Sequence, residues 1–224
     1  MIKLDIQMFG GRGSSSSYGK EGINTGGTEK PMRFYDKTKI YKGMPVEEFE
    51  RRTRNRKNEY IGLYDDKGKI IIAGTSYNKG AVAIPTTHPS FKKVNSLTHN
   101  HPYHGGRQLG GSFSGADVYN HIMLNMKTTR ANAREKLYVI TSGKTTKAQR
   151  NRMSQIARQS DKLWDTKAKR KISSIEKRLQ KKNKKLTNAT RNRIYYGYGS
   201  RVWEDLAKGS GYTYSETKNK YKKK

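Results

Sequence analysis

Two histidines one residue apart, in Thr98-His99-Asn100-His101-Pro102, are the side chains of this sequence best placed to do chemistry. Side chains alternate along an extended segment, so His99 and His101 fall on one face and both imidazoles can reach one ion. Pro102 ends the segment, and Tyr103 to Ser112, with Gly105, Gly106, Gly110 and Gly111, reads as loop. Ser114-Gly115-Ala116-Asp117 follows. Ser114 suits a helix N-cap and Asp117 falls at the third helical position, where a carboxylate interacts favourably with the helix N-terminus. A carboxylate delivered there completes a two-histidine, one-carboxylate set whose fourth position stays open to water, as catalytic zinc requires.

The elements that must position these residues can be read from the hydrophobic pattern. Glu59 to Tyr64 and Lys69 to Gly74 are apolar runs joined by Asp65-Asp66-Lys67-Gly68, a strong hairpin signal. Ala81 to Pro85 reads as a third short strand, Pro89 to Val94 as a helical turn, and Ser96 to His101 as the strand carrying the two histidines. From Ser114 to Met126, Ala116, Val118, Ile122, Met123 and Met126 recur at helical spacing, and Lys136 to Thr141 is the last clear strand. Upstream, Pro45 followed by Glu47, Glu48 and Glu50 suits a helix start, with the three acids as a solvated face. His88 and His121 have no metal-ligating company in the sequence, and His121 reads as a helix-surface residue. A meander of strands with a helix laid on it is an α+β sandwich.

At these residues the chain resembles the JAB/MPN metallopeptidase superfamily (the JAMM motif), and within it the RadC-like branch, whose pattern is a glutamate, then His-x-His-Pro, then Ser-x-x-Asp. The resemblance covers roughly residues 56 to 142 and implies a cytidine-deaminase-like sheet-helix sandwich. It puts His99, His101 and Asp117 on zinc-ligand positions and Ser114 on the serine that assists the water and the reacting carbonyl. Glu59, in Glu59-Tyr60-Ile61-Gly62-Leu63-Tyr64, is the best match to the glutamate that moves the proton. The implied activity is hydrolysis of an amide or isopeptide bond with Zn2+. The sequence departs from the pattern between His101 and Ser114, where the loop is longer than the family's and offers His104 as a rival ligand; loop insertions are thermodynamically inexpensive.

Composition bounds the rest. Only 32% of the 224 residues are hydrophobic, and 48 Lys and Arg against 18 Asp and Glu give a formal charge of +30. A chain that basic binds polyanions, with nucleic acid, DNA in particular, as the expected partner. Cysteine is absent, which excludes disulfides, cysteine nucleophiles and Cys-ligated zinc, including the zinc deaminase pattern. No apolar run approaches a membrane span, and Met1 to Gly10 is too short in apolar residues for a signal peptide, so a cytoplasmic location in the host cell is expected.

Three segments follow: a leader over 1–30, a metal-binding domain over 31–144, and a basic helical extension over 145–224. In the leader, Ile2, Leu4, Ile6 and Met8 alternate with polar residues before a Gly/Ser run. This opening is similar to N-termini recurring on head-associated proteins of tailed phages, which makes docking on phage head proteins and association with a virion further expectations. In the extension, Trp164, Ala168, Ile172, Ile175 and Leu179 form a narrow apolar stripe on a long helix from about Thr146 to Leu186. Lys177, Arg178, Lys181, Lys182, Lys184 and Lys185 crowd its end, and Arg191 and Arg193 are interleaved with tyrosines. Phosphate pairing with base stacking is the chemistry such a mixture offers. Val202, Trp203 and Leu206 read as a small helix docked on the core, and Lys218 to Lys224 as a disordered basic tail. The leading expectation is a zinc metallohydrolase held on nucleic acid. The alternatives are a non-catalytic DNA-binding head protein, or an effector toxin that cleaves a target inside another cell.

Overall fold

A computed structural model describes residues 6–9, 33–104, 107–108 and 111–219, without the side chains of 6–9, 103–104, 107–108, 161–165, 188–189, 192–193 and 196. In chain order these are β1 (Ile6–Phe9), β2 (Tyr35–Asp36), α1 (Thr38–Tyr41), α2 (Val46–Thr53), β3 (Tyr60–Tyr64), β4 (Ile70–Thr75), β5 (Ala81–Ile84), a 3-10 turn at Phe91–Lys93, and β6 (Ser96–Asn100). A small hairpin of β7 (Tyr103–His104) and β8 (Arg107–Gln108) precedes α3 (Gly115–Met123). Then come β9 (Thr128–Asn132), β10 (Lys136–Ser142), α4 (Lys147–Gln180), α5 (Asn188–Ala207) and β11 (Tyr212–Lys218).

Seven strands form one mixed sheet in the order β11-β10-β9-β6-β3-β4-β2. Every pairing is antiparallel except β6 with β9, which run parallel with α3 as their crossover. The chain is therefore α+β, with a βαβ unit at its centre. The β3–β4 hairpin turns at Gly68, whose φ of +69° only glycine adopts at little cost.

Side-chain alternation sends the two sides of the sheet to different partners. Ile61 and Leu63 on β3 and Leu97 on β6 pack with Val82 and Ile84 of β5 and with Leu124 beyond α3. On the opposite side Phe49 of α2 lies against β3 so closely that a Cβ on Gly62 would stand 2.8 Å from its ring, which explains the glycine in that strand. The sheet thus carries α1 and α2 on one face and α3, α4 and α5 on the other, a second helical layer that the one-helix sandwich expected from the sequence omits. Glu50, expected on a solvated face, is 3% exposed. It accepts Nε and Nη2 of Arg130 at 2.6 and 2.9 Å and the Thr98 hydroxyl at 2.8 Å, clamping α2 to β9 and β6.

Residues 145–224 are expected as an extension, but the described ones, 145–219, share the core of the preceding residues. β11 pairs with β10 along its whole length, and Met153, Ala157, Trp203 and Tyr212 are buried in one cluster with Phe113 and Val118. α4 and α5 form a helical hairpin, Glu176 meeting Arg191 near its turn and Gln149 reaching Gly209 at its base. Of the leader, β1 pairs antiparallel with β5 and packs beside α3; the rest of residues 1–32, and the tail from 220, lie outside the described residues. No helix among the described residues is long and apolar enough to cross a membrane.

Candidate metal centre

Topology brings the candidate residues to one end of the sheet. His99 and His101 stand at the C-terminal end of β6, and Asp117 in the first turn of the crossover helix that follows. Glu59 immediately precedes β3, the antiparallel neighbour of β6, in a register that sets Ile61 opposite His99. Ligand sites of α/β units form at such strand ends, where the helix N-terminus also points.

The side chains of Asp117 and His101, and the backbone of Glu59, are held by their surroundings, while His99 Nδ1 has no hydrogen-bond partner. Ser114 caps α3: its hydroxyl accepts the Asp117 N–H at 3.2 Å, while Asp117 Oδ2 accepts the Ser114 N–H at 2.7 Å and the Ser114 hydroxyl at 2.9 Å. This capping box occupies Oδ2 and leaves Oδ1 without a partner. His101 Nδ1 lies 2.8 Å from the Gly111 carbonyl, which fixes the proton on Nδ1 and turns the Nε2 lone pair toward His99. Asn100, between the histidines, accepts the Tyr60 N–H at 2.6 Å through Oδ1 and donates to Asn58 O at 3.2 Å through Nδ2. The Glu59 carbonyl accepts the Thr75 hydroxyl at 2.7 Å, and its N–H donates to Asn78 O at 2.8 Å. The backbone around Glu59 is thereby tied to the histidine strand and its neighbours.

The four side chains converge. His99 Nε2 is 3.1 Å from His101 Nε2, 3.7 Å from Asp117 Oδ1 and 4.0 Å from Glu59 Oε1. One ligand atom from each of His99, His101 and Asp117 lies within 4.8 Å of the others, and all three residues are buried. Two atoms bound to one tetrahedral ion at ~2.1 Å stand about 3.4 Å apart, so 3.1 and 3.7 Å are separations a shared ion can bridge. Burial raises the Asp117 carboxyl to about 6, against the pull of His101 and Ser114, and lowers His99 to about 3 and His101 to about 4, the charge of His99 also acting on the latter. Burial, then the charge of Asp117, pushes Glu59 well above the carboxylate range, and neither of its oxygens has a partner.

Two neutral imidazoles in contact through their Nε2 atoms lie beside an unpaired carboxylate oxygen and a buried carboxyl with no partner, and buried polar groups are normally paired. A cation among them supplies a partner to the unpaired oxygens of Asp117 and Glu59. The nitrogen and oxygen donors, without sulfur, fit a borderline or hard divalent ion, zinc among several. The centre is a buried His-His-Asp group able to hold a metal ion.

The Ser114 hydroxyl spends its proton on Asp117, so it orients that ligand. The side chain of His104 is outside those described, as is that of Arg193. His121, expected at the surface, is buried, with Nδ1 2.8 Å from the Thr129 hydroxyl and Nε2 2.9 Å from the Ser142 hydroxyl; burial lowers its pKa to about 3. Spacing alone missed this because its partners come from β9 and β10. Lys177, Arg178 and Lys181 line an open groove along α4 with Lys169 and Arg170. Lys182, Lys184 and Lys185 are exposed in the turn after α4, and Arg191 is paired with Glu176. Comparison with protein-family models, curated proteins and solved structures finds no match.

Proposed function

We propose that the protein is a metal-dependent hydrolase of the JAB/MPN type, RadC-like in its motif, that cleaves an amide or isopeptide bond. The observation that carries the reading is the convergence of His99 Nε2, His101 Nε2 and Asp117 Oδ1 beside the unpartnered carboxyl of Glu59. The order of these residues, glutamate before a strand, His-x-His at a strand end, Ser-x-x-Asp opening a helix, supports the JAMM assignment, and it is that resemblance which favours zinc among the ions the donor set admits.

His99, His101 and Asp117 would hold the ion, which, when bound, supplies Lewis acidity toward a water and a carbonyl. Glu59 does the proton work. Its buried carboxyl has a raised proton affinity, which brings it toward the operating pH of a general base. Glu59 takes a proton from water as the water oxygen adds to the carbonyl carbon, then returns it to the leaving nitrogen as the C–N bond breaks, giving an acid and an amine. Ser114 acts through Asp117, which it fixes in one rotamer. The basic groove of α4 holds the enzyme on nucleic acid through phosphate contacts, and a place in a phage or mobile element accords with the leader's sequence.

One observation favours a second reading, a DNA-binding head protein whose ion is structural: His99, His101, Asp117 and Glu59 are each at most 1% exposed. Zinc-loaded wild type and Glu59→Gln, assayed against a panel of isopeptide- and peptide-linked fluorogenic substrates, separate the two. Turnover abolished by Glu59→Gln with zinc retained supports the hydrolase; a protein that holds zinc, turns over nothing and binds DNA equally in both forms supports the structural role.

A further inference from the structure

Among the described side chains, Asn120 combines deep burial with a complete lack of partners: it is 1% exposed and neither its Oδ1 nor its Nδ2 makes a hydrogen bond. A buried carboxamide left unpaired costs about 1–3 kcal/mol for each desolvated group, so this is not where packing alone would leave an asparagine. Its place on α3 is informative. Asn120 is three residues, about one turn, after Asp117, so the two project from neighbouring positions on the helix surface. Successive helical residues are ~100° apart, which puts Asn120 to one side of the Asp117 direction and His121 to the other. His121 leans toward β9 and β10, where it meets Thr129 and Ser142. Leu124, one turn after Asn120, packs against the cluster that contains Ile61 of β3 and Val82 and Ile84 of β5. Asn120 therefore occupies the β3 side of the helix, the side from which Glu59 enters the centre, and Glu59 is the other residue there with every polar side-chain atom unpaired.

We propose that Asn120 is a substrate-contacting residue, its carboxamide presenting one donor and one acceptor to the amide group of the bond to be cleaved. This rests on the hydrolase reading. A carboxamide matches a peptide unit in both polarities: Nδ2 donates to the carbonyl oxygen and Oδ1 accepts the N–H. It also fills a role for which Ser114 is poorly placed, since the Ser114 hydroxyl proton is already given to Asp117. A site that hydrogen-bonds its substrate from buried groups discriminates strongly against analogues lacking the partner atoms, so Asn120 selects for amides over esters.

The test uses full-length protein loaded with cobalt(II), whose visible spectrum reports ligand binding without turnover. Two probes are titrated: acetohydroxamate, which carries an amide N–H and carbonyl, and 2-mercaptoethanol, which offers sulfur without an amide. In Asn120→Leu and Asn120→Ala the affinity for acetohydroxamate falls at least tenfold, cobalt uptake and 2-mercaptoethanol affinity stay within twofold of wild type, and the Leu variant melts no lower than wild type because it loses an unpaired polar group. If either folded variant binds acetohydroxamate as wild type does, or if both variants lose cobalt or melt far below wild type, Asn120 is structural and the proposal is overturned. Exclusion of both probes from cobalt-loaded wild type also overturns it. Failure of wild type to take up cobalt at all removes the hydrolase reading, and the inference with it.

Discussion

The indole Nε1 of Trp203 in α5 donates a hydrogen bond to the carbonyl of Phe113 at 2.7 Å, ninety residues away and one residue before the Ser114 cap that fixes Asp117. The C-terminal hairpin thus braces the segment from which the Asp117 carboxylate is presented. Trp203 is 1% exposed, so Trp203→Ala destabilises the fold by about 3–5 kcal/mol. Trp203→Phe, which keeps most of the apolar volume and loses the bond, costs less. Urea denaturation measures both. Equal stability of the alanine variant and wild type would show that the hairpin is an appendage.

The Glu50–Arg130 pair joins α2 to β9 in a largely buried setting, with Glu50 also accepting from Thr98. Removing Glu50 leaves Arg130 only the more exposed Glu47 at 4.0 Å. Glu50→Leu costs about 3–5 kcal/mol, and adding Arg130→Met to it recovers most of that loss. A double variant as unstable as the single one in chemical denaturation would mean that the pair is not coupled.

His121 is neutral in the fold, with a pKa near 3 against about 6.5 in the unfolded chain. The unfolded state therefore binds the extra proton, and the stability tied to this group is complete above about pH 6.5 and is lost as the pH falls below it. Between pH 7 and 5 the loss attributable to His121 is about 2 kcal/mol. Metal-free wild type compared with His121→Gln by denaturant unfolding across that range isolates it, because the other titrating groups are common to both. Parallel pH curves for the two proteins would contradict the assignment.

Five cations line the α4 groove: Lys169, Arg170, Lys177, Arg178 and Lys181. If all five meet phosphates of duplex DNA, log Kobs falls against log salt with a slope of about −4.5. Lys177→Glu with Arg178→Glu and Lys181→Glu flattens that slope by about three and weakens binding on every sequence alike. Fluorescence anisotropy on two unrelated duplexes checks this, and an unchanged slope places the nucleic-acid contact elsewhere.

Much of the centre is legible in the sequence because its signals are local. The His-x-His spacing, the N-cap at Ser114 and Asp117 three residues later each depend on neighbours within one strand or one helical turn, and the structure has the cap and its capping box at those residues. The β3–β4 hairpin is readable for the same reason, with turn residues between apolar runs. β9 and β11 are not: Thr128-Thr129-Arg130-Ala131-Asn132 and Tyr212 to Lys218 are polar, short of apolar alternation, and become strands by pairing with β6 and β10. Glu50 and His121 mislead for a related reason. Their burial is made tolerable by Arg130, Thr129 and Ser142, residues that sequence spacing does not connect to them. Glu59 is identifiable only through a family resemblance, since its approach to His99 depends on the antiparallel register of β3 with β6.

The most direct test of the metal centre is the metal content of protein equilibrated with excess zinc and freed of unbound ion, determined by mass spectrometry alongside His99→Ala/His101→Ala, with melting of each before and after chelation. The account predicts close to one zinc per wild-type chain, none in the double variant, and a wild-type melting temperature that drops when the ion is removed. A wild type that retains no zinc and melts identically with and without chelator would contradict it.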